Sequence, residues 1–345
     1  MTRYVDVRFD LLRSGAKYTE LHPVTAPVLT ASADAAIKSS IYGEFYADSS
    51  ADYLTDELRP VLVIDGQEHP LGVFSVASYT QSTNDTRSTV SLSGYDRCWT
   101  VQSTRTENVL HLSQGSSYIE VIRQLLLYCG ISLVVATANP SVLSTDREDW
   151  DLGTDYLTII NSLLSEINYN DLWFDTAGYA RIEPKAAIVS NNIRHTFDEK
   201  NVKNMILPRK TVTSDIFSAP NVFICICDNP DYSKPLVAVA TNDNPASALS
   251  VPRRRRRISE VVKVNNIASL SELEAYAQLL VRDSMMSVDT VEIQTALLPG
   301  YGVNEVAAIN YGSTQGLCLE TGYTMELTTG GTMQHTLRMV SYNIG

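Results

Sequence analysis

The sequence predicts a mainly β protein in which two β-barrel-like domains flank a small α/β domain. Three observations carry this. Period-two alternation runs through the first hundred residues, amphipathic helices occupy the middle of the chain, and strand-like segments return after about residue 190 with one helix among them. The expected boundaries are 1–100 for the first barrel, 101–190 for the α/β domain and 191–345 for the second barrel with its helix.

In residues 1–100, Tyr4, Asp6 and Arg8 alternate with Val5, Val7 and Phe9, and Ile37, Ser39, Ile41, Gly43 and Phe45 share one face. Val61 to Ile64, Val73 to Val76 and Val90 to Leu92 add strands, with Asp65-Gly66 and Asn84-Asp85 as turns. Many strands without a helix point to a closed or nearly closed barrel, which protects strand edges.

The middle changes period. Ser116 or Ser117 can cap a helix carrying Tyr118, Ile119, Ile122, Leu125, Leu126 and Cys129, with Gly130 placed to end it. Ile131 to Val135 reads as a strand. Trp150 to Asp155 then forms a capped entry to a helix whose Leu157, Ile160, Leu163, Leu164 and Ile167 make one buried stripe. Leu172 to Ile182 alternates around Gly178 as a hairpin, and the bulk of Trp173 and Phe174 is expected in the core.

The last block has strands at Val222 to Cys227, Leu236 to Ala240, Ile258 to Val264, Val291 to Ala296, Glu305 to Ile309, Tyr323 to Leu327 and Thr332 to Tyr342. Ser269 and Glu272 open a helix with Leu273, Ala277, Leu280, Val281 and Ser284 on one side. The matched strand density on either side of the α/β domain predicts two barrels of similar topology.

Composition narrows the function classes. At 44% hydrophobic and 19% charged the chain folds, and a net charge of −12 argues against general affinity for DNA or anionic membranes. No apolar run approaches the roughly 20 residues of a membrane span. Met1 to Asp10 is too short and charged for a signal peptide, so synthesis in a cytoplasm is expected. The cysteines (Cys98, Cys129, Cys225, Cys227, Cys318) are odd in number and scattered among apolar residues, as reduced, buried thiols are. Cys225 and Cys227 share a strand face, but no histidine cluster joins them in a zinc site.

No catalytic, cofactor-binding or metal-binding residues are expected. His22, His69, His111, His195 and His335 are isolated from one another in sequence. Asp146, Glu148, Asp149 and Asp151 crowd one loop beside Arg147, where nothing sets a buried acid apart from a second base; a solvated acidic loop is the expectation. Gly330-Gly331 reads as a hairpin turn. Arg253 to Arg257 follow Pro252, and read as a strand they place Arg253, Arg255 and Arg257 on one face and Arg254 and Arg256 on the other. Pairing with carboxylates across an interface is expected of them, ahead of a solvated loop or phosphate contact.

Ordered along the chain are Asp52-Tyr53-Leu54-Thr55-Asp56, Arg59-Pro60, His69-Pro70-Leu71-Gly72-Val73-Phe74 and Gly94-Tyr95-Asp96. Trp150-Asp151-Leu152-Gly153-Thr154, Ile167-Asn168-Tyr169 and Leu172-Trp173-Phe174-Asp175 follow. Asn221-Val222, Asn244-Pro245-Ala246-Ser247 and Pro252-Arg253-Arg254 complete the run. In this order they resemble the tail hub (baseplate hub) proteins of tailed bacteriophages, most of all those of long non-contractile tails. The resemblance implies a non-enzymatic virion protein at the tail tip: a homotrimer that links the sixfold tail tube or distal tail ring to threefold tip, fibre or receptor-binding proteins. It implies a channel for the tape-measure protein and for passing DNA, without specific nucleic-acid binding. Some hubs carry a wall hydrolase or fibre after the second barrel, and a chain ending at Gly345 is expected to lack it. The competing expectation is a glycan-binding or cell-wall-degrading tail protein.

Overall fold

The computed structural model describes residues 3–84, 87–201, 205–214, 219–227, 234–264, 269–284 and 289–340. Met1, Asp85, Tyr342 and Gly345, named above, lie outside the described residues. The protein is mainly β with a small α/β module.

The first barrel is built from β1 (Val5–Arg13), β2 (Ala16–Leu21), β3 (Val28–Ser32), β4 (Ser39–Tyr46), β5 (Glu57–Ile64), β6 (Gln67–Pro70), β7 (Phe74–Thr83) and β8 (Ser88–Tyr95). Antiparallel pairing runs β2–β1–β5–β7–β8–β4. The ring closes because the chain leaving β2 continues as His22–Val24 along the end of β4, with Pro23 opposite Phe45 and Val24 N–H bonded to Glu44 O at 2.7 Å. Alternation sends Phe9, Leu11, Leu29, Phe45, Leu58, Leu62, Phe74 and Leu92 inward, all buried. Phe9 meets Phe45 edge-on at 5.2 Å. The Asp65-Gly66 turn joins β5 to β6 with both residues at positive φ (50° and 83°), as a tight type I′ hairpin requires.

The α/β module holds α1 (Cys98–Ser103), α2 (Tyr118–Tyr128), β9 (Val134–Ala136), α3 (Tyr156–Glu166), β10 (Trp173–Phe174) and β11 (Ala180–Ile182). Asp155 caps α3 by accepting the Thr158 N–H at 2.8 Å, and Gly130, at φ 82°, ends the turn after α2. The apolar stripes of α2 and α3 form one core with Leu172, Ala180 and Ile182. The hairpin β10–β11 forms as expected and adds β9 in parallel. Trp173 departs from expectation. It is only half-buried, over the Arg181 guanidinium, while Phe174 packs against the module core from its margin. The deep core is supplied by the helices, so the hairpin's first strand covers an edge. Trp173→Ala should therefore cost about 1–2 kcal/mol in urea unfolding, against about 3–5 for a fully buried large aromatic.

The chain continues through β12 (His195–Asp198) and β13 (Ile206–Ser214), then leaves the main sheet. β14 (Val222–Cys227), β15 (Leu236–Thr241) and β16 (Ser259–Val264) form their own sheet in the order β15–β14–β16, with α4 (Val251–Arg254) between the last two strands. Helix α5 (Leu270–Ser284) covers one face, packing Leu273, Ala277 and Val281 on Phe223, Cys225, Cys227, Ala238 and Ala240. The strands β14, β15 and β16 thus sit outside the second barrel.

That barrel returns with β17 (Asp289–Ala296), β18 (Glu305–Tyr311), β19 (Thr314–Glu326) and β20 (Thr332–Met339), ordered β13–β17–β20–β19–β18–β12. β1, β4, β5, β7 and β8 match β12, β17, β18, β19 and β20 in order and neighbours, and β13 stands beside β17 where His22–Val24 and β3 stand beside β4. Among the described residues no pairing of β12 with β13 answers that of β1 with β2. One pair differs in direction: β12–β18 is parallel where β1–β5 is antiparallel. Even the irregularities agree. β7 shifts register against β8 between Val76 and Ser78, and β19 does so against β20 between Glu320 and Gly322. The correspondence is therefore residue by residue: Val76 with Glu320, Leu92 with His335, Ile41 with Val291.

The barrels share a single 14-stranded sheet, because β3 pairs antiparallel with the end of β19. Gly322 permits this approach, since a Cβ there would stand 2.8 Å from Ala31 O.

Candidate assembly surfaces

Among the described residues, the open strand edges include those of β7 and β13, and one sheet face is also exposed. Beyond Ser75, β7 pairs only with β8, and β13 pairs only with β17, among the described residues. Tyr79 on the first edge and Val212 on the second are 44% and 50% exposed. In the small sheet, the face turned away from α5 carries Ile224, Ile226, Val237, Val239 and Val261. The last three are more than half exposed, at 51%, 57% and 56%. In register, Ile224 lies between Val239 and Val261, so these residues form a contiguous aliphatic patch.

The Asn221-Val222, Asn244-Pro245-Ala246-Ser247 and Pro252-Arg253-Arg254 runs of the last block meet in one polar knot beside this sheet. Asn221, fully buried, donates through Nδ2 to Leu249 O and Arg256 O, both at 3.1 Å, and accepts from Ile258 N–H at 2.8 Å. Asn242 donates to Ser247 Oγ at 3.1 Å, closing the Asn244-Pro245-Ala246-Ser247 loop. The arginine run is not a strand, which corrects the alternating-face expectation. Pro252 sits in the first turn of α4, Arg253 and Arg254 complete it, and Arg255 takes a left-handed conformation at φ 52°. Arg254 reaches back to Ala219 O at 2.6 Å, while Arg253, Arg255, Arg256 and Arg257 are exposed around the turn.

No protein-family model and no curated protein matches the sequence. Solved structures do. A tail protein from Neisseria meningitidis MC58 is 14% identical over 97% of this chain and 98% of its own, with a TM-score of 0.72. The prophage MuSo2 43 kDa tail protein from Shewanella oneidensis is 11% identical over 97% and 99%, at 0.69. Prophage tail protein gp18 from Listeria monocytogenes EGD-e is 14% identical over 98% and 96%, at 0.61. This chain has the fold of prophage tail proteins.

Within the tail-protein fold, the other quoted runs turn out to be joints. Asp10 is fully buried, and burial alone would raise its pKa; Arg8 (2.7 Å), Lys17 (3.0 Å) and Arg59 (2.9 Å) outweigh that and hold it at about 2. Asp56 takes the Arg13 fork at 2.7 and 2.8 Å. Asp96 accepts from Ser39 and from Cys98 N–H where the barrel passes into the module. Arg97 spans the same joint, forked onto Glu57 and donating to Gly178 O at 3.1 Å.

The acidic loop is tied down by three of its carboxylates and one main-chain carbonyl. Asp146 accepts Gln114 N–H, Glu148 meets His111 Nδ1 at 2.9 Å, and Asp149 holds Arg147. Asp151 contributes its backbone carbonyl to Thr106 and Thr154. Arg147 is not a solvated neighbour: only 3% exposed, it also forks onto Glu166 at 3.0 and 3.2 Å and lies 4.9 Å from the Trp150 ring. Beside it a cleft of about 580 Å³ opens toward Lys263, Glu272 and Tyr276.

Two histidines isolated in sequence meet in space, which sequence reading missed. His195 stacks on Tyr301 (centroids 3.8 Å), and Tyr301 lies 5.0 Å from His335. His195 bonds Glu305 at 2.8 Å and His335 bonds Glu320 at 2.6 Å, the second pair wholly buried. Among the described residues no group of three or more histidine, cysteine or acidic side chains is arranged to hold a metal, and no helix is long and apolar enough to cross a membrane. The five cysteines are buried and unbridged.

Proposed function

We propose that this protein is a structural tail hub: a homotrimeric ring at the distal end of a phage tail, assembled in the virion after synthesis in the host cytoplasm. The observation that carries this reading is the strand order shared by the two barrels. Two equivalent barrels per chain present six quasi-equivalent positions from three copies, which suits a sixfold tail tube or distal ring on one side and threefold tip, fibre or receptor-binding proteins on the other. The tape-measure protein would occupy the central channel and DNA would pass it; a chain of net charge −12 suits passage without retention. The aliphatic face on β14–β16 and the exposed arginines at the turn after α4 are surfaces that assembly would cover.

The role is non-enzymatic in this reading, with no cofactor. A glycan-binding or wall-degrading protein would have to use the cleft at Trp150 and Glu166, where an aromatic ring adjoins carboxylates. Light scattering on the purified chain, with its copy number in virions and a cell-wall hydrolysis assay, separates the two. A trimer present at few copies and inert toward cell wall is expected; a monomer that clears cell wall sinks the hub reading.

A further inference from the structure

The chain holds its own template for how one barrel meets the next. Inside the chain, β3 lies against the part of β19 beyond its bulge, with Leu29 opposite Met325, Thr30 opposite Thr324 and Ala31 opposite Tyr323. The shared strand order carries each side of this seam onto the other barrel. From the matching bulges, Ser78, Tyr79, Thr80 and Gln81 of β7 stand where β19 has Gly322, Tyr323, Thr324 and Met325. Val212 faces Val291 as Leu29 faces Ile41, so Thr211, Val212, Thr213 and Ser214 of β13 stand where β3 has Val28, Leu29, Thr30 and Ala31. The residues follow the geometry: Tyr-Thr recurs at 79–80 and 323–324, and threonine recurs at 30 and 213.

These counterparts both lie on open edges. In the intrachain seam Leu29 and Met325 are 0% and 2% exposed. Val212, the counterpart of Leu29, is 50% exposed, and Gln81, the counterpart of Met325, is exposed as well. Open strand edges carrying bare apolar side chains are a liability unless another strand covers them.

We propose that β13 of one copy pairs antiparallel with β7 of the next, Val212 opposite Gln81, Thr213 opposite Thr80 and Ser214 opposite Tyr79. The occupant of each edge is thus a second copy of this chain, and the contact repeats between copies the β3–β19 seam within each. It rests on the trimeric ring reading above and names the surface that makes the ring. The contact is heterologous: every copy offers β13 to one neighbour and β7 to the other, so three copies close into alternating intrachain and interchain seams. Backbone hydrogen bonds supply the pairing, as in strand addition to a sheet edge.

A cysteine pair tests the register. Directly opposed residues bring Cβ atoms to about 4.5–5.5 Å, within reach of a disulfide after small adjustment. The full chain carrying Val212→Cys and Gln81→Cys, mildly oxidised, should link covalently into species of up to three chains. Either single variant should give none, and Val212→Cys with Thr83→Cys, out of register, far less. Separately, Val212→Lys should leave the chain folded by circular dichroism, since the site is exposed in one copy, and weaken trimerisation at least about tenfold, or about 1.4 kcal/mol. A trimer by light scattering that neither links through the in-register pair nor responds to Val212→Lys overturns this seam and leaves the ring reading standing. A folded protein that stays monomeric overturns both. Linked chains growing past three keep the seam and overturn the closed ring.

Discussion

His335→Leu should destabilise the second barrel by about 3–5 kcal/mol in urea unfolding, and adding Glu320→Val should recover most of that loss. The equivalent places in the first barrel hold Leu92 and Val76, so the double variant writes the first barrel's apolar solution into the second. The wild-type pair is wholly buried, and its hydrogen bonds together with that burial set where the protons sit. Thr295 Oγ1 donates to Ala296 O at 2.8 Å, so it accepts at 3.0 Å from His335 Nε2–H. In a neutral imidazole Nδ1 is then the acceptor, and the 2.6 Å contact to Glu320 requires a protonated carboxyl as donor. Burial drives both groups the same way, pushing Glu320 well above 4.5 and His335 down from 6.5 to about 3. His195, Glu305, Tyr301 and Tyr323 surround the pair, and Glu320 Oε2 has no hydrogen-bond partner among the described residues. Leucine alone at 335 leaves the whole carboxyl without a partner, which is the costly half-step.

The pH dependence follows with a definite sign. The folded pair holds one proton. Between about 4.5 and 6.5 the unfolded chain also holds one, on His335, so the contribution is flat and maximal. Below 4.5 the unfolded chain binds a second proton, and stability falls by up to about 1.4 kcal/mol per pH unit as acid is added. Above 6.5 the unfolded chain has lost its proton while Glu320 keeps one, so stability falls as pH rises. The double variant should lose both flanks; unfolding curves from pH 4 to 9 that superimpose for wild type and double variant would refute the assignment.

How much of this was legible in the sequence depends on distance along the chain. Local signals held: Asp155 and Gly130 bound their helices, Asp65-Gly66 turns a hairpin, and the stripe of α5 is the face that packs. Period two marks a strand without saying which sheet takes it, and so β14–β16 read as part of the barrel they leave. The arginine run misled because five like residues suggest an extended, self-repelling segment. Pro252 one position after Ser250-Val251 was the overlooked sign of a helical turn, since proline is at home in a helix's first turn. The His335–Glu320 pair and the open edges of β7 and β13 were invisible for another reason. Both exist only once the barrel registers are known, and no spacing in the sequence encodes those.

Arg147 carries the second large effect. It stands between an acidic loop and α3, and in sequence it looks like one more surface charge. In the fold its own backbone is bonded both ways to Leu112, at 2.8 and 2.9 Å, so the guanidinium is delivered inward. There Glu166 takes the fork, Asp149 takes Nε, and Glu166 also accepts the Tyr118 hydroxyl at 2.7 Å. One cation thus holds the loop, α2 and α3 together. Arg147→Ala should cost about 3 kcal/mol, the low end for breaking a buried pair, because Glu166 and Asp149 keep 20% and 29% exposure and water can partly replace the arginine. Arg147→Lys should recover only part, since an ammonium cannot fork onto Glu166 while bonding Asp149. Arg147→Met keeps the apolar stem over Trp150 and should sit close to alanine if charge pairing dominates. Urea unfolding of the three variants decides it. A methionine variant as stable as wild type would mean that packing on Trp150, and not the carboxylates, makes Arg147 the module's central joint.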